Sequence, residues 1–254
     1  MNIISLIIFF LLGIIMGEFF NVVAMRLSLD EEKLFTRSHC DVCYHKLRFF
    51  EIIPIFSYLF LKGKCRYCKK NIKISHLIVE LLTGILFAFT YYMFGFSYEL
   101  LIGLGIISIF VIVCVSDMSY LIIPDEVLIF FGGYFIIIQY FRIGLIQTVE
   151  HIFIGVLLFL VMYTIMLIGD NIFKKESLGG GDIKLMIIFG LLLDPLMGVI
   201  TIFLASILAL PISLLYMRRS KDHVIPFGPF LLLALTIIYF TGINTEIVLS
   251  WLAF

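Results

Sequence analysis

Two groups of residues in this chain have the types and spacing to do chemistry. Asp117, in Ser116-Asp117-Met118-Ser119, and Asp182, closing Gly179-Gly180-Gly181-Asp182, each interrupt sequence that is otherwise almost continuously apolar. A carboxylate near hydrocarbon is expensive, so such a residue faces the interior of a helix bundle and marks a functional position by default. Two carboxyls brought together titrate as a coupled pair. One can activate water while the other, protonated, donates to a scissile carbonyl, and the pair then protonates the leaving amine. Pairing Asp117 with Asp182 therefore implies an aspartyl protease dyad. The second group is cysteine: Cys40-Asp41-Val42-Cys43 and Cys65-Arg66-Tyr67-Cys68 form two C-x2-C knuckles with 21 residues, 44 to 64, between them. Four soft thiolates at zinc-ribbon spacing suit a closed tetrahedral zinc site that leaves no position for catalysis.

Each candidate also has a local explanation. Pro124 disfavours helix at Ile123, so a helix breaks there and another begins, with Asp125 at its N-cap or first turn. Asp117, at the end of an entering helix, has no such role, because a negative charge is unfavourable there. Asp182 could serve as the N-cap of the helix it opens, but three preceding glycines also permit close approach of an extended substrate strand. The glycine run is not a phosphate loop, since it lacks G-x-x-x-x-G-K-[ST]. The alternative to zinc is four unliganded cysteines or a redox pair. His39 and His45 flank the first knuckle and are redundant as ligands, while Cys114, inside an apolar segment, reads as a packing residue.

The elements that must position these residues are membrane helices. Of 254 residues, 62% are hydrophobic and only 14% charged, which describes a polytopic membrane protein. Zero net charge gives no overall basic field and no pointer to nucleic acid. With roughly 20 apolar residues needed to cross the hydrocarbon core, spans are expected at 2–25, 76–96, 99–116, 127–141, 148–169, 183–194, 197–217 and 226–253. The sixth is short and tilted, buried in the bundle, or begun inside the glycine run. Eight spans is the preferred count and seven the alternative. The segment Asn2 to Val23 lacks a basic flank and a small-residue cleavage site, so it reads as a retained helix rather than a signal peptide.

Basic residues set the expected orientation. Eleven of 18 Lys and Arg fall between Arg26 and Lys73; Lys174, Lys175 and Lys184 form a second group, and Arg218, Arg219 and Lys221 a third. With eight spans and an outside N-terminus all of these share one side, with Arg142 opposite, and the positive-inside rule makes that side cytoplasmic. Asp117 and Asp182 then lie at one membrane depth. The expected fold is an all-α polytopic membrane protein of about eight transmembrane helices with a small cytoplasmic zinc-binding loop. Its parts are a first helix over 1–27, a zinc loop over 28–75 and a transmembrane peptidase domain over 76–254. The loop is too small for a sufficient core without a staple, and it faces a reducing compartment where disulfides are disfavoured.

Several motifs, in order, carry a resemblance. They are Gly17-Glu18-Phe19-Phe20-Asn21-Val22-Val23 ending in Arg26, the two cysteine knuckles, Ile53-Pro54-Ile55-Phe56-Ser57-Tyr58, and Val79-Glu80-Leu81-Leu82. There follow Asp117 with Ile123-Pro124-Asp125, Gly179 to Asp182 with Ile183-Lys184-Leu185, and Ile225-Pro226-Phe227-Gly228-Pro229-Phe230. Together they resemble the type IV prepilin peptidases, bifunctional leader peptidases and N-methyltransferases of pilus, secretion and competence systems, with the G-x-G-D signature. The resemblance implies a multi-pass protein of the bacterial cytoplasmic membrane that cuts prepilins or pseudopilins between a basic leader and a hydrophobic helix, typically after Gly. It assigns proteolysis to Asp117 and Asp182, with Asp125 as the lesser candidate, and implies S-adenosylmethionine as the methyl source. Two positions depart from the family pattern: Glu18 stands where a small Ser is usual, and Asp41 where Pro is common. Glu18 reads as a structural partner of Asn21 or Glu80, with a part in methyl transfer as the other reading. The alternative function is a non-catalytic membrane scaffold whose zinc loop docks assembly partners.

Overall fold

The computed structural model describes residues 2–29, 43, 45, 63–71, 74–174, 178–217 and 225–252. Among them the chain forms nine helices: α1 (Ile3–Ser28), α2 (Ile74–Phe94), α3 (Tyr98–Tyr120), α4 (Asp125–Ile143), α5 (Leu145–Phe173), α6 (Gly180–Leu192), α7 (Pro195–Met217), α8 (Gly228–Thr241) and α9 (Thr245–Leu252). Six of these, α1 to α5 and α7, are long and apolar enough to cross a membrane. The chain divides into two compact units, Met1–Leu100 and Leu101–Phe254.

In the first unit α1 and α2 form a hairpin. A Cβ on Gly13 would lie 2.7 Å from the Thr83 carbonyl oxygen, and one on Gly84 2.7 Å from Ile14 Cγ1. Small residues let the two backbones approach, and van der Waals packing replaces the hydrophobic drive that lipid cannot supply. Phe9 stacks on Tyr91 with centroids 4.8 Å apart. Buried Thr83 and Thr90 return their hydroxyls to their own helix at Val79 O and Leu86 O, both at 2.7 Å.

In the second unit α6 is central, with nine of its 13 residues buried, and it packs against α4, α5, α7 and α8. Its crossing with α5 is close enough that a Cβ on Gly190 would collide with the Gly155 backbone, and one on Gly155 would come 2.6 Å from the Ile187 carbonyl oxygen. A 13-residue helix spans only about 20 Å, so α6 stops short among its neighbours. The carbonyls of its last turn, which have no partner within the helix, are met from the side. Gln139 Nε2 donates to Leu191 O at 2.7 Å, and His151 Nδ1 lies 3.1 Å from Gly190 O.

One expectation about spans is met and one corrected. The sixth segment is short, is buried in the bundle and begins inside the glycine run, at Gly180, as one of the expected forms. The eighth, expected as one span over 226–253, is two helices. Gly242 adopts φ +66° and closes α8, while Asn244 Oδ1 accepts the Ile247 N–H at 3.0 Å and starts α9. A left-handed glycine followed by an Asn cap is a stop-and-start signal, and the apolar run masked it.

Candidate active site

Three helix ends meet in the second unit: the last turn of α3 and the first turns of α6 and α8. Asp117 lies in that last turn, buried at 6% exposure. Its carbonyl accepts the Leu121 N–H at 2.9 Å, and Leu121, with φ +57°, turns the chain out of the helix. Ile122 and Ile123 lead to Pro124, the N-cap of α4 with φ −64°, and Asp125 is the first residue of that helix. The break expected at Ile123 and Pro124 is present.

A carboxylate at the C-terminal end of its own helix is poorly placed, and α8 offsets this. The Gly228 N–H donates to Asp117 Oδ2 at 3.1 Å. Gly228 is the first residue of α8, so Asp117 accepts one of the unpaired N–H groups at a helix N-terminus, where the macrodipole favours negative charge. Only glycine fits, because a Cβ there would lie 2.8 Å from Ile123 Cδ1 and 3.0 Å from Asp117 Oδ2. Gly228 was named in the sequence only as part of a motif. The signal that could have found it is Pro229, a residue suited to the first turn of a helix, whose position marks free backbone donors just before it.

Asp182 is buried at 7% exposure in the first turn of α6. Gly179, not Asp182, is the N-cap, and the Asp182 N–H donates to Gly179 O at 3.1 Å. The Asp182 carboxylate turns back toward the Gly179 backbone N–H, as the third residue of a capping box does. It is also close enough to Asp117 for the two charges to interact. Ile123 bridges the two helix ends: a Cβ on Gly181 would lie 2.8 Å from Ile123 Cβ, and the same side chain limits the space at Gly228. The structure thus brings Asp117 and Asp182 together through Gly228, Ile123 and Gly181. Asp125 stays outside this pocket, half-exposed and paired with Lys184. Cys114, one turn before Asp117 on α3, is half-buried, as a packing residue would be.

In the first unit Cys43, Cys65 and Cys68 bring their sulfurs within 4.8 Å of one another. Sulfurs around one tetrahedral zinc sit roughly 3.8 Å apart at Zn–S distances near 2.3 Å, so the cluster fits a soft metal. The second knuckle is preformed. The Cys65 N–H donates to Lys70 O at 2.8 Å, the Lys69 N–H to Cys65 O at 3.0 Å, and Gly63 and Lys69 take positive φ. Cys40 and His39 lie outside the described residues. His45 lies against Tyr67, the rings tilted by 35° with centroids 3.6 Å apart, and is not part of the cluster. Glu18 is half-buried, and Glu80 is buried. Asn21, expected as a partner for Glu18, instead hydrogen-bonds His76 of α2.

Fold and site define a multi-pass helical membrane protein with two interacting carboxylates at its helix ends and a cysteine cluster in a separate unit. Residues 104–214 match the type IV leader peptidase family, and residues 11–94 match the bacterial peptidase A24 N-terminal domain. The chain belongs to the type IV leader peptidase family. It is 32% identical over 231 residues to a prepilin leader peptidase/N-methyltransferase of Bacillus subtilis, covering 87% of this chain and 88% of that one. It is 31% identical to the protein of the same name from Vibrio cholerae, covering 95% and 98% respectively. A third such protein, from Stutzerimonas stutzeri, is 28% identical over 88% of this chain and 86% of its own. No solved structure matches the chain significantly.

Proposed function

We propose that the chain is an aspartyl endopeptidase of the bacterial cytoplasmic membrane that removes the leader from prepilins or pseudopilins, with Asp117 and Asp182 as the reacting pair. The observation that carries this reading is the meeting of two buried carboxylates at helix ends packed on the same Ile123 side chain, in a chain of this family. A water held between the carboxyls loses its proton to one of them and attacks the scissile carbonyl. The other carboxyl donates its proton to the developing oxyanion. The carboxyl protonated by the water then protonates the leaving amine, and the first donor recovers its proton as the intermediate collapses and the C–N bond breaks. The Gly228 N–H holds Asp117 in place through the cycle, and the glycine run beside Asp182 leaves room for an extended substrate backbone.

The basic residues around the first loop, Lys174 and Arg218 support a cytoplasmic site and an outside N-terminus. The organisation that fits is a first helix at 1–27, a zinc-binding part at 28–75 and a peptidase part at 76–254. Cys40, Cys43, Cys65 and Cys68 would hold a structural zinc that fixes the loop. The names of the relatives support a second reaction, methylation of the new N-terminal amine. S-adenosylmethionine would supply the methyl group.

The test is co-expression with a prepilin and measurement of product mass. The parent is expected to remove the leader and add one methyl. Asp182→Asn and Asp117→Asn are each expected to insert in the membrane and leave the precursor at full length. Full cleavage by either variant would refute the dyad.

A further inference from the structure

Asp125 and Lys184 take no part in the proposed proton transfers, yet they bracket one of the reacting carboxyls. Lys184 Nζ lies 2.7 Å from both carboxylate oxygens of Asp125. Asp125 opens α4, and Lys184 follows Asp182 by two residues on α6. Two residues before Asp125, Ile123 closes the space over Gly181. The segment 123–125 therefore grips the first turn of α6 twice, with an apolar contact on the buried side at Gly181 and an ionic one on the exposed side at Lys184. Asp182 sits between the two grips. Upstream the chain holds it through the Gly179 backbone alone: the run Gly179 to Gly181 has no side chains, and a Cβ on Gly180 would meet nothing within 4 Å.

The ion pair is 47% and 57% exposed at its two side chains. Pairs so exposed contribute little to global stability, but a small displacement of a reacting group is costly to a rate. We infer that Asp125 and Lys184 are positioning residues, whose ion pair sets the rotation of the first turn of α6 and so aims Asp182 at Asp117. This rests on the Asp117–Asp182 reading. It gives Asp125 a role other than the helix cap or spare catalytic acid that its sequence context suggests.

The test uses the purified full chain and a synthetic peptide with a basic leader, a glycine and a hydrophobic segment. Asp125→Asn and Lys184→Met are each expected to lower kcat about tenfold, with KM and thermal stability close to the parent. The double variant should be no worse than either single, because both break one interaction. Lys184→Arg should keep most of the activity. Cleavage by the parent should fall with added salt more steeply than cleavage by the double variant, because screening weakens an exposed pair. Additive losses, a kcat loss that tracks lost thermal stability, or an inactive Asp125→Asn beside an active Lys184→Met would each overturn the pair. Full cleavage by Asp182→Asn in the same assay would instead remove the dyad on which it rests.

Discussion

The backbone N–H of Gly228 donates to Asp117 Oδ2 across 111 residues of sequence, at 3.1 Å. This bond joins the C-terminal turn of α3 to the N-terminus of α8 and sets one carboxyl of the pair with no second side chain. Gly228→Ala would place a methyl 3.0 Å from that oxygen and 2.8 Å from Ile123 Cδ1. The expected result is a folded, inserted protein whose kcat falls on the order of 10- to 100-fold. Peptide cleavage kinetics beside a thermal unfolding curve check it, and unchanged kcat would show that the bond does not set the site.

The cysteine cluster predicts a metal dependence separate from peptide cleavage by the dyad. Cys65→Ser and Cys68→Ser should each reduce bound zinc from about one per chain to near zero, since a structural site needs all four ligands. Elemental mass spectrometry on purified protein measures this directly. The same variants should increase proteolytic nicking of the first loop.

Gln139 reaches from α4 to the last turn of α6, where its amide serves the Leu191 carbonyl. Gln139→Leu keeps the volume but strands that carbonyl among buried residues, at a cost of about 1–3 kcal/mol. A lowered unfolding midpoint in detergent is the expected outcome. A midpoint equal to the parent's would mean that another donor takes over.

The crossing of α5 and α6 allows no side chain. Gly155→Leu would drive a branched chain into the Ile187 carbonyl, and overpacking of this kind costs about 1–3 kcal/mol or more. Because α6 carries Asp182, expression, unfolding midpoint and cleavage should fall together. Lys184→Met, in contrast, should lower cleavage alone.

Much of this was legible in the sequence because the relevant signals are local. Apolar runs bounded by Gly and Pro marked α1 to α5 closely, and Pro124 marked the break after Asp117. C-x2-C spacing anticipated the cluster, and charge counting put both aspartates on one side. What escaped was non-local or hidden in hydrophobicity. Gly242 and Asn244 divide the last apolar stretch, but both lie in residues that score as membrane-compatible. The partner of Asn21 depended on the register between α1 and α2, which sets His76, not Glu18, opposite its amide. Asp125 looked like a plain helix cap because its partner, Lys184, is 59 positions away. Gly228 carried no sign of the residue that would accept its N–H.

The shortness of α6 has a consequence for the lipid. Gln139 sits one turn before the end of α4, and His151 under two turns after the start of α5, so α6 ends below the rim that its neighbours define. A hydrocarbon layer of about 30 Å exceeds its length. Yet α4, α5, α7 and α8 enclose it and Gln139 and His151 meet its last carbonyls, so the lipid faces those neighbours and not the end of α6. The place of the Asp182 turn is therefore fixed by protein on every side of its helix, through α4, α5, α7 and α8.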